Sequence, residues 1–218
     1  NMTQKRLIID DAIPFADAIF GHLGDIHLMP GRDIDAESVK NADALIVRSR
    51  TQVNQNLLQN SSVKFVGSTV VGLDHIDQAW LSQQGIHFYS AQGCNANSVA
   101  EYIISGLLQL AEDYQFDLRQ QTLGIIGVGH VGRLVLEKAE ALGIHCLIND
   151  PPRAQNEGQN SFIELDDLLT QADIITVHTP LTRDGAYPTL NLLNRQNLRH
   201  LKPDAIIINA ARGGIIDE

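Results

Sequence analysis

Three glycines place the tightest constraint on what this sequence can form. Gly127, Gly129 and Gly132 follow the spacing G-x-G-x-x-G inside TLGIIGVGHVGRLV (122–135), between a short apolar run and an amphipathic one. Between a strand and a helix, the first glycine allows the turn, the second lets the backbone approach a pyrophosphate, and the third lets the helix pack closely. The alternative is a purely structural turn, because this spacing arises by chance in roughly one in ten chains that contain 17 glycines.

A carboxylate beyond the glycines favours the dinucleotide interpretation. Asp150 ends the apolar run HCLIND, 18 residues after Gly132, where an acidic residue accepts hydrogen bonds from a ribose diol. The same carboxylate would repel the 2′-phosphate of NADP, so the sequence predicts NAD as the cofactor. Arg153 leaves an alternative open, because an arginine three residues further on can meet a 2′-phosphate.

Apolar runs alternate with helical patterns along the whole chain. Apolar, β-branched runs that end in polar residues or glycine indicate buried parallel strands, and apolar residues three and four apart indicate helices. The predicted strands are RLIID (6–10), ALIVRS (44–49), VKFVGS (63–68), TLGIIG (122–127), HCLIND (145–150), ADIITVHTP (172–180) and DAIIINAARGG (204–214). A long helix over 96–113 is predicted to bridge two α/β units, and the polar segment 151–161 is predicted to be a loop.

Composition excludes some classes of protein. The net charge of -10 argues against a nucleic-acid partner, since such proteins carry a basic face. No apolar run approaches the ~20 residues that cross a bilayer, and no signal-peptide pattern is present, so we expect a cytoplasmic protein without a membrane partner. Cys94 and Cys146 are too few and too far apart for a disulfide framework or a metal site, which predicts reduced thiols and no metal.

The order of the motifs resembles a known family. VRSRTQV (47–53), GLDHID (72–77), GVGHVG (127–132), HTPLT (178–182) and NAARGGIID (209–217) are similar to motifs of the D-isomer-specific 2-hydroxyacid dehydrogenases, and the resemblance covers essentially the whole chain. It implies an α/β fold with two domains, a flavodoxin-like substrate domain over 1–96 and a Rossmann NAD-binding domain over 97–218. It also implies NAD as cofactor and a homodimer for the full-length enzyme.

Three further details narrow the resemblance to one branch of that family. They are GCNANSVAEY (93–102), NDPPR (149–153) and RDGAYPTL (183–190). This resemblance implies oxidation of 4-phospho-D-erythronate at C2 to the 2-oxo acid, in bacterial pyridoxal phosphate synthesis. Two alternatives remain: D-3-phosphoglycerate or another D-2-hydroxy acid as substrate, and an NAD-sensing binding protein on the same scaffold.

The resemblance also implies roles for individual residues. Arg212 matches the catalytic arginine that pairs with the substrate carboxylate and 2-oxygen, a task suited to a planar guanidinium. Arg48 and Ser49 match positions near the carboxylate and phosphate ends of the substrate, although Arg48 as a structural ion-pair arginine is an equal alternative. The residues expected along the carboxylate through their backbone are Val70, Val71 and Gly72; Val70 departs from the hydroxyl residue usual there, so one side-chain contact is lost. The residues expected to bind the cofactor are Gly127, Gly129, His130, Val131, Gly132, Asp150, Thr179, Ala210, Ala211 and Arg212.

Other candidate groups receive lesser roles. His75 and His178 lie in motifs where the resemblance implies orienting or packing functions, and Cys94 has no base at a recognisable spacing. In the family, the glutamate and the histidine of the acid/base pair come after the NAARGG motif in the sequence. We therefore expect the NAD-binding domain to be truncated at its C-terminus, and the 218-residue chain to bind NAD weakly without oxidising the substrate.

Overall fold

The computed structural model describes residues 4–217 and divides into two compact units, the first ending at Cys94 and the second beginning at Asn95. The domain boundary expected from the sequence, between residues 96 and 97, falls two residues further along. The outermost residues of those expected domains, 1–3 and 218, lie outside the described residues.

The first unit is built on a parallel five-stranded sheet. Its strands, in the described part of the chain, are β1 (Lys5–Asp10), β2 (Gly24–Met29), β3 (Ala44–Val47), β4 (Phe65–Ser68) and β5 (His87–Ser90). Its helices are α1 (Ala16–Phe20), α2 (Ala36–Val39), α3 (Gln55–Leu58) and α4 (Gln78–Gln83). The strand order β2-β1-β3-β4-β5 is that of flavodoxin-like folds, which confirms the predicted fold class.

The two edge strands of this sheet were not among the predicted strands. Both β2 and β5 contain only exposed and half-buried residues, whereas β1 buries its last four residues and β3 its last three. An edge strand keeps one side in contact with water, so polar residues interrupt the apolar run that marks a central strand. The sequence pattern therefore reveals the centre of the sheet more clearly than its edges.

The second unit is a four-stranded parallel sheet covered by longer helices. Its helices are α5 (Ala96–Asp113), α6 (His130–Ala141), α7 (Pro151–Glu157) and α8 (Leu165–Gln171). Its strands in the described residues are β6 (Thr122–Ile126), β7 (His145–Asn149), β8 (Ile174–Val177) and β9 (Ile206–Asn209), in the order β7-β6-β8-β9. This parallel arrangement is the Rossmann-type sheet predicted from the glycine pattern.

Side-chain alternation along β6 divides the second unit into two apolar layers. Leu123 and Ile125 join a core with α5 and α6, whereas Ile126 joins a second core with α8. Gly124 faces the same layer as Ile126, where Leu168 of α8 packs directly on it. Residues 4–217 contain no helix with both the length and the apolar character needed to cross a membrane.

The prediction of a loop over 151–161 is wrong, because α7 occupies Pro151–Glu157. Asp150 caps this helix by accepting a hydrogen bond from the backbone N–H of Arg153, and prolines stand at the first helical positions. Arg153 and Glu157 then form an ion pair one helical turn apart. Prolines and polar residues suggested a loop, but in this position they start a helix and stabilise it.

Two glycine substitutions test this packing with opposite expected signs. A Cβ at Gly124 would lie 2.5 Å from Cδ2 of the buried Leu168, so Gly124→Ala is expected to lower the free energy of unfolding by about 1–3 kcal/mol. Gly106, inside α5, has open space at its Cβ position. Gly106→Ala is therefore expected to raise the free energy of unfolding by about 0.5–1 kcal/mol. Urea unfolding of the two variants measures both effects. Equal destabilisation by both would contradict the packing of α8 on β6.

Candidate functional site

The carboxyl ends of the four parallel strands in the second unit meet at one edge of the sheet. Ile126 pairs with Asn149 on one side and with Val177 on the other, and Val177 pairs with Asn209. The segments that follow these four residues therefore leave the sheet side by side. This register brings the glycine loop, Asp150, Thr179 and the turn at 210–212 to the edge where doubly wound sheets bind ligands.

Gly127 and Gly132 are required by close backbone contacts. Gly127 has φ 85, and a Cβ there would lie 2.8 Å from the backbone of His178 and from Cγ2 of Thr179. A Cβ at Gly132 would lie 1.9 Å from the carbonyl oxygen of Gly127. The helix α6 therefore packs on the turn more closely than any side chain permits.

Gly129 has a different environment, because nothing lies within 4 Å of its Cβ position. It is the N-cap of α6, where the first backbone N–H groups have no acceptor inside the helix. His130 is exposed and Val131 is half-buried at the start of this helix. The open space beside unsatisfied N–H groups fits a pyrophosphate, which would make Gly129 the point of close backbone approach.

Asp150 is fixed beside the glycine loop by two backbone groups. Its Oδ2 accepts a hydrogen bond from the N–H of Val128 at 2.8 Å, and its Oδ1 accepts one from the N–H of Arg153 at 3.1 Å. Each carboxylate oxygen can accept a second hydrogen bond, and the residue is only half-buried. The side chain is thus oriented by the protein and retains the capacity to bind a ribose diol.

Thr179 supplies a buried hydroxyl at the same edge. Its Oγ1 has no hydrogen-bond partner among the described residues, and its methyl group lies against Gly127. A buried hydroxyl without a partner is costly, which favours a ligand atom as the missing partner. Together with Asp150 and the open space at Gly129, it indicates that the residues present fit a dinucleotide.

His178 is neutral at physiological pH. Burial lowers its pKa from 6.5 to about 4, and its Nε2 lies 2.8 Å from Oγ1 of Thr176. Its backbone N–H donates to Ile126 at 2.7 Å, extending the ladder between β6 and β8. A weakly basic imidazole held against the sheet has the packing role expected from the sequence.

The turn that carries Arg212 is closed by a side chain that the sequence analysis missed. The amide of Asn209 donates to the carbonyl of Arg212 at 3.0 Å, and its Oδ1 accepts from the N–H of Ala211, also at 3.0 Å. Asn209 therefore links both ends of the turn, while Ala210 is exposed and Arg212 half-buried. An asparagine directly after an apolar strand and before small residues is the signal that could have identified this turn.

The carboxyl edge of the first unit holds the residues assigned to the substrate. Arg48 and Ser49 are exposed directly after β3. The guanidinium of Arg48 lies 3.5 Å from the carbonyl of Ala12, and no ion pair involving Arg48 is found among residues 4–217. The structural ion-pair alternative for Arg48 is therefore not supported.

Two more arginines lie at this edge, and the sequence analysis did not single them out. Thr51 donates a hydrogen bond to the carbonyl of Gly31 at 2.8 Å, which ties the segment after β2 to the segment after β3. Arg32 directly follows Gly31, Arg50 directly precedes Thr51, and both arginines are exposed. This edge therefore carries three exposed arginines, together with the carboxylates of Asp10, Asp11 and Asp33.

The turn after β4 lies beside Arg48, because Ser68 pairs with Val47 across the sheet. The N–H of Thr69 donates to Val47 at 3.1 Å, and the following residues Val70, Val71 and Gly72 are half-buried. The hydroxyl of Ser68 is buried and has no hydrogen-bond partner within the described residues. A polar ligand atom at this edge would satisfy it.

Cysteines and metal ligands do not add to the site. Cys94 is exposed and Cys146 half-buried, and both are free thiols. Burial raises the pKa of Cys146 to about 11, which makes it unreactive. In the described ranges, no group of three or more histidine, cysteine or acidic side chains is arranged to hold a metal ion.

The lowered pKa of His178 predicts a pH-dependent stability. Unfolding returns the imidazole to water, so the unfolded state binds the extra proton between pH 6.5 and about 4. Stability from this group is full above pH 6.5 and falls as the pH decreases through that window, by about 3 kcal/mol at most. Urea titrations at several pH values measure this loss. The free energy of unfolding of His178→Gln should fall less on acidification than that of the wild type, whereas the exposed control His200→Gln should behave like the wild type. Identical pH profiles for all three proteins would contradict this assignment.

Comparison with known proteins agrees with this geometry. Residues 96–218 match the family model for the D-isomer specific 2-hydroxyacid dehydrogenase, NAD binding domain. The chain is 58% identical over its whole length to an erythronate-4-phosphate dehydrogenase of Hydrogenovibrio crunogenus, and 53% identical over 98% of its length to that of Ruthia magnifica. These matches cover 58% and 61% of the two relatives, so the chain spans about three fifths of their length.

A solved structure shows the same fold. A 3-phosphoglycerate dehydrogenase of Entamoeba histolytica with bound NAD+ matches 98% of this chain and 74% of its own chain, with a TM-score of 0.76 and 25% identity. The family model covers more than half of the present chain and includes all the cofactor-side residues discussed above. The chain therefore belongs to the D-isomer-specific 2-hydroxyacid dehydrogenase family and carries its NAD-binding domain.

Proposed function

We propose that this chain supplies the substrate unit and the cofactor unit of an NAD-dependent 4-phospho-D-erythronate dehydrogenase. The product would be 2-oxo-3-hydroxy-4-phosphobutanoate, in the synthesis of pyridoxal 5′-phosphate. The observation that carries the substrate assignment is the 58% identity over all 218 residues to the Hydrogenovibrio crunogenus erythronate-4-phosphate dehydrogenase. The geometry at the two sheet edges supports the chemistry.

On the cofactor side, each assigned residue has a physical task. The loop of Gly127, Gly129, His130, Val131 and Gly132 would hold the pyrophosphate through backbone N–H groups. Asp150 would bind the adenosine ribose, and Thr179, Ala210 and Ala211 would line the rest of the cofactor. Bound NAD supplies the acceptor for the hydride that leaves C2 of the substrate.

On the substrate side, the arginines match an anionic hydroxy acid. Arg212 would pair with the carboxylate and the 2-oxygen through its planar fork, held in place by Asn209. In the first unit, Arg48 and Ser49 would bind the phosphorylated end, with the backbone at Val70, Val71 and Gly72 along the carboxylate. Arg32 and Arg50 add positive charge to that unit's edge. His178 is not assigned as the proton acceptor, because a pKa of about 4 makes it a weak base.

The proposal includes the assembly and location implied by the resemblance, a homodimer in the cytoplasm. The two free thiols support this location, because free thiols are typical of a reducing compartment. Size-exclusion chromatography of the complete gene product at several concentrations tests the dimer.

A substrate screen tests the proposed function. The complete gene product that contains these residues is incubated with NAD and either 4-phospho-D-erythronate or D-3-phosphoglycerate, and NADH formation is followed by absorbance. We expect kcat/KM to be higher for 4-phospho-D-erythronate by at least roughly 100-fold, because a site that binds the additional hydroxyl of this acid loses that hydrogen bond with the shorter analogue. A preference for D-3-phosphoglycerate would replace the substrate assignment. NAD binding without turnover of any hydroxy acid would favour the sensor alternative.

Replacement of Arg212 tests the substrate anchor separately. Arg212→Lys keeps the positive charge but loses the planar pair of donors, so kcat/KM of the complete gene product is expected to fall roughly 10- to 100-fold. The dissociation constant for NADH, measured by fluorescence, should change much less. Arg199→Lys, at an exposed position of the same unit, is the matched control. An Arg212→Lys enzyme with nearly unchanged kcat/KM would show that this arginine does not anchor the substrate.

A further inference from the structure

Arg153 lies at a position where an arginine could bind the 2′-phosphate of NADP. It follows Asp150 by three residues, and an arginine near this carboxylate can accommodate a 2′-phosphate on the adenosine ribose. The sequence leaves this alternative open. The structure shows what the guanidinium binds instead.

The donors of Arg153 are already engaged. Nε donates to Oε1 of Glu157 at 2.8 Å, and Nη2 donates to Oε2 of the same carboxylate at 2.7 Å. Nη1 donates to the carbonyl of Val128, in the glycine loop, at 2.6 Å. Three of the five N–H bonds of a guanidinium are thereby used, including the bidentate pair formed by Nε and Nη2.

The guanidinium is also held from a third direction. It lies over the ring of Phe162, 5.5 Å from the centroid, on the segment that follows α7. The bidentate pair with Glu157 spans one turn of α7, the spacing at which two helical side chains meet. Arg153 therefore has one defined orientation between the glycine loop and α7.

Two carboxylates determine the local charge. The hydrogen bonds with Glu157 raise the pKa of Arg153, and the nearby negative charge of Asp150 contributes in the same direction. The same hydrogen bonds lower the pKa of Glu157, so both partners are charged at physiological pH. Arg153 with Glu157 and Asp150 carries a net charge of -1, which repels a second phosphate beside the ribose.

We propose that Glu157 is a determinant of cofactor specificity, which selects NAD over NADP by keeping Arg153 from a 2′-phosphate. Glu157 acts through Arg153 and is therefore a positioning residue. Asp150 alone would reject the 2′-phosphate by direct repulsion, and Glu157 binds the guanidinium of Arg153 that would otherwise compensate for this repulsion. This inference rests on the NAD-binding site and is independent of the identity of the hydroxy acid.

Cofactor titrations with the complete gene product that contains these residues test the proposal. Dissociation constants for NADH and NADPH are measured by fluorescence for the wild type, Glu157→Ala, Glu157→Gln, Asp150→Ala and the double variant Asp150→Ala/Glu157→Ala. Glu157→Ala is expected to improve the ratio of NADPH to NADH affinity by roughly three- to tenfold, since the pair is partly exposed and screened. Glu157→Gln should lie between wild type and Glu157→Ala, because the amide oxygen still accepts one hydrogen bond from Arg153.

The double variant gives the sharper result. In the double variant, the guanidinium of Arg153 faces a 2′-phosphate without either carboxylate beside it. Compared with Asp150→Ala alone, the double variant should therefore improve the ratio of NADPH to NADH affinity by roughly tenfold or more. The matched control is Glu112→Ala on α5, which removes the same charge from an exposed position of the same unit. Thermal unfolding of every variant checks that α7 and the glycine loop remain folded.

Each contrary result overturns the proposal. An affinity ratio unchanged by Glu157→Ala in both backgrounds would show that Arg153 does not reach the 2′-phosphate. If Glu112→Ala improved the affinity ratio equally, the effect would come from the overall charge of the protein. If Glu157→Ala weakened the binding of both cofactors equally, Glu157 would act only on the stability of the loop. A wild-type chain that binds neither cofactor would contradict the NAD site and this inference with it, whereas failure of the hydroxy-acid assay alone would leave the titrations informative.

Discussion

The second unit depends on the contact between α6 and the turn that follows β6. Because a Cβ at Gly132 would lie 1.9 Å from the carbonyl oxygen of Gly127, the helix approaches the turn at a distance that only glycine allows. That approach points the first N–H groups of α6 at the carboxyl edge of the sheet. The Cβ position of Gly129, between these two glycines, is open space, so packing within the described residues does not require a glycine there.

The position of Asp150 follows from the same contact. Because Gly127 has φ 85, the chain turns sharply enough for the N–H of Val128 to face the end of β7, where Oδ2 of Asp150 accepts it. The carboxylate then caps α7 through its other oxygen, and α7 presents Arg153 back to the carbonyl of Val128. The glycine loop, the carboxylate of Asp150 and the guanidinium of Arg153 are thus parts of one hydrogen-bonded arrangement. A change in any one of them alters the position of the other two.

Much of this arrangement could be predicted from the sequence, because it depends on local chemistry. Glycines with fixed spacing and a carboxylate at a strand end have few alternative uses once a strand precedes them and a helix follows. The helix α7 could not be predicted in this way, because its stability comes from Asp150 as a cap and from the pair of Arg153 with Glu157. Arg32 and Arg50 were missed for a related reason. The hydrogen bond of Thr51 to Gly31 joins segments twenty residues apart, and no local pattern reveals such a contact.

The acidic composition and the anionic ligands are reconciled by the range of the electrostatic interactions. The chain carries 26 acidic and 16 basic residues, which disfavours a long polyanion that would cover much of its surface. A small phosphorylated acid or a pyrophosphate senses charges only within about 10 Å, because salt screens the rest. The backbone N–H groups at the start of α6 carry partial positive charge, and the edge of the first unit carries Arg32, Arg48 and Arg50 alongside Asp10, Asp11 and Asp33. A negative net charge therefore disfavours a long polyanion but does not disfavour a small anionic ligand. A carboxylate at a defined position, such as Asp150 or Glu157, is needed to separate two cofactors that differ by a single phosphate.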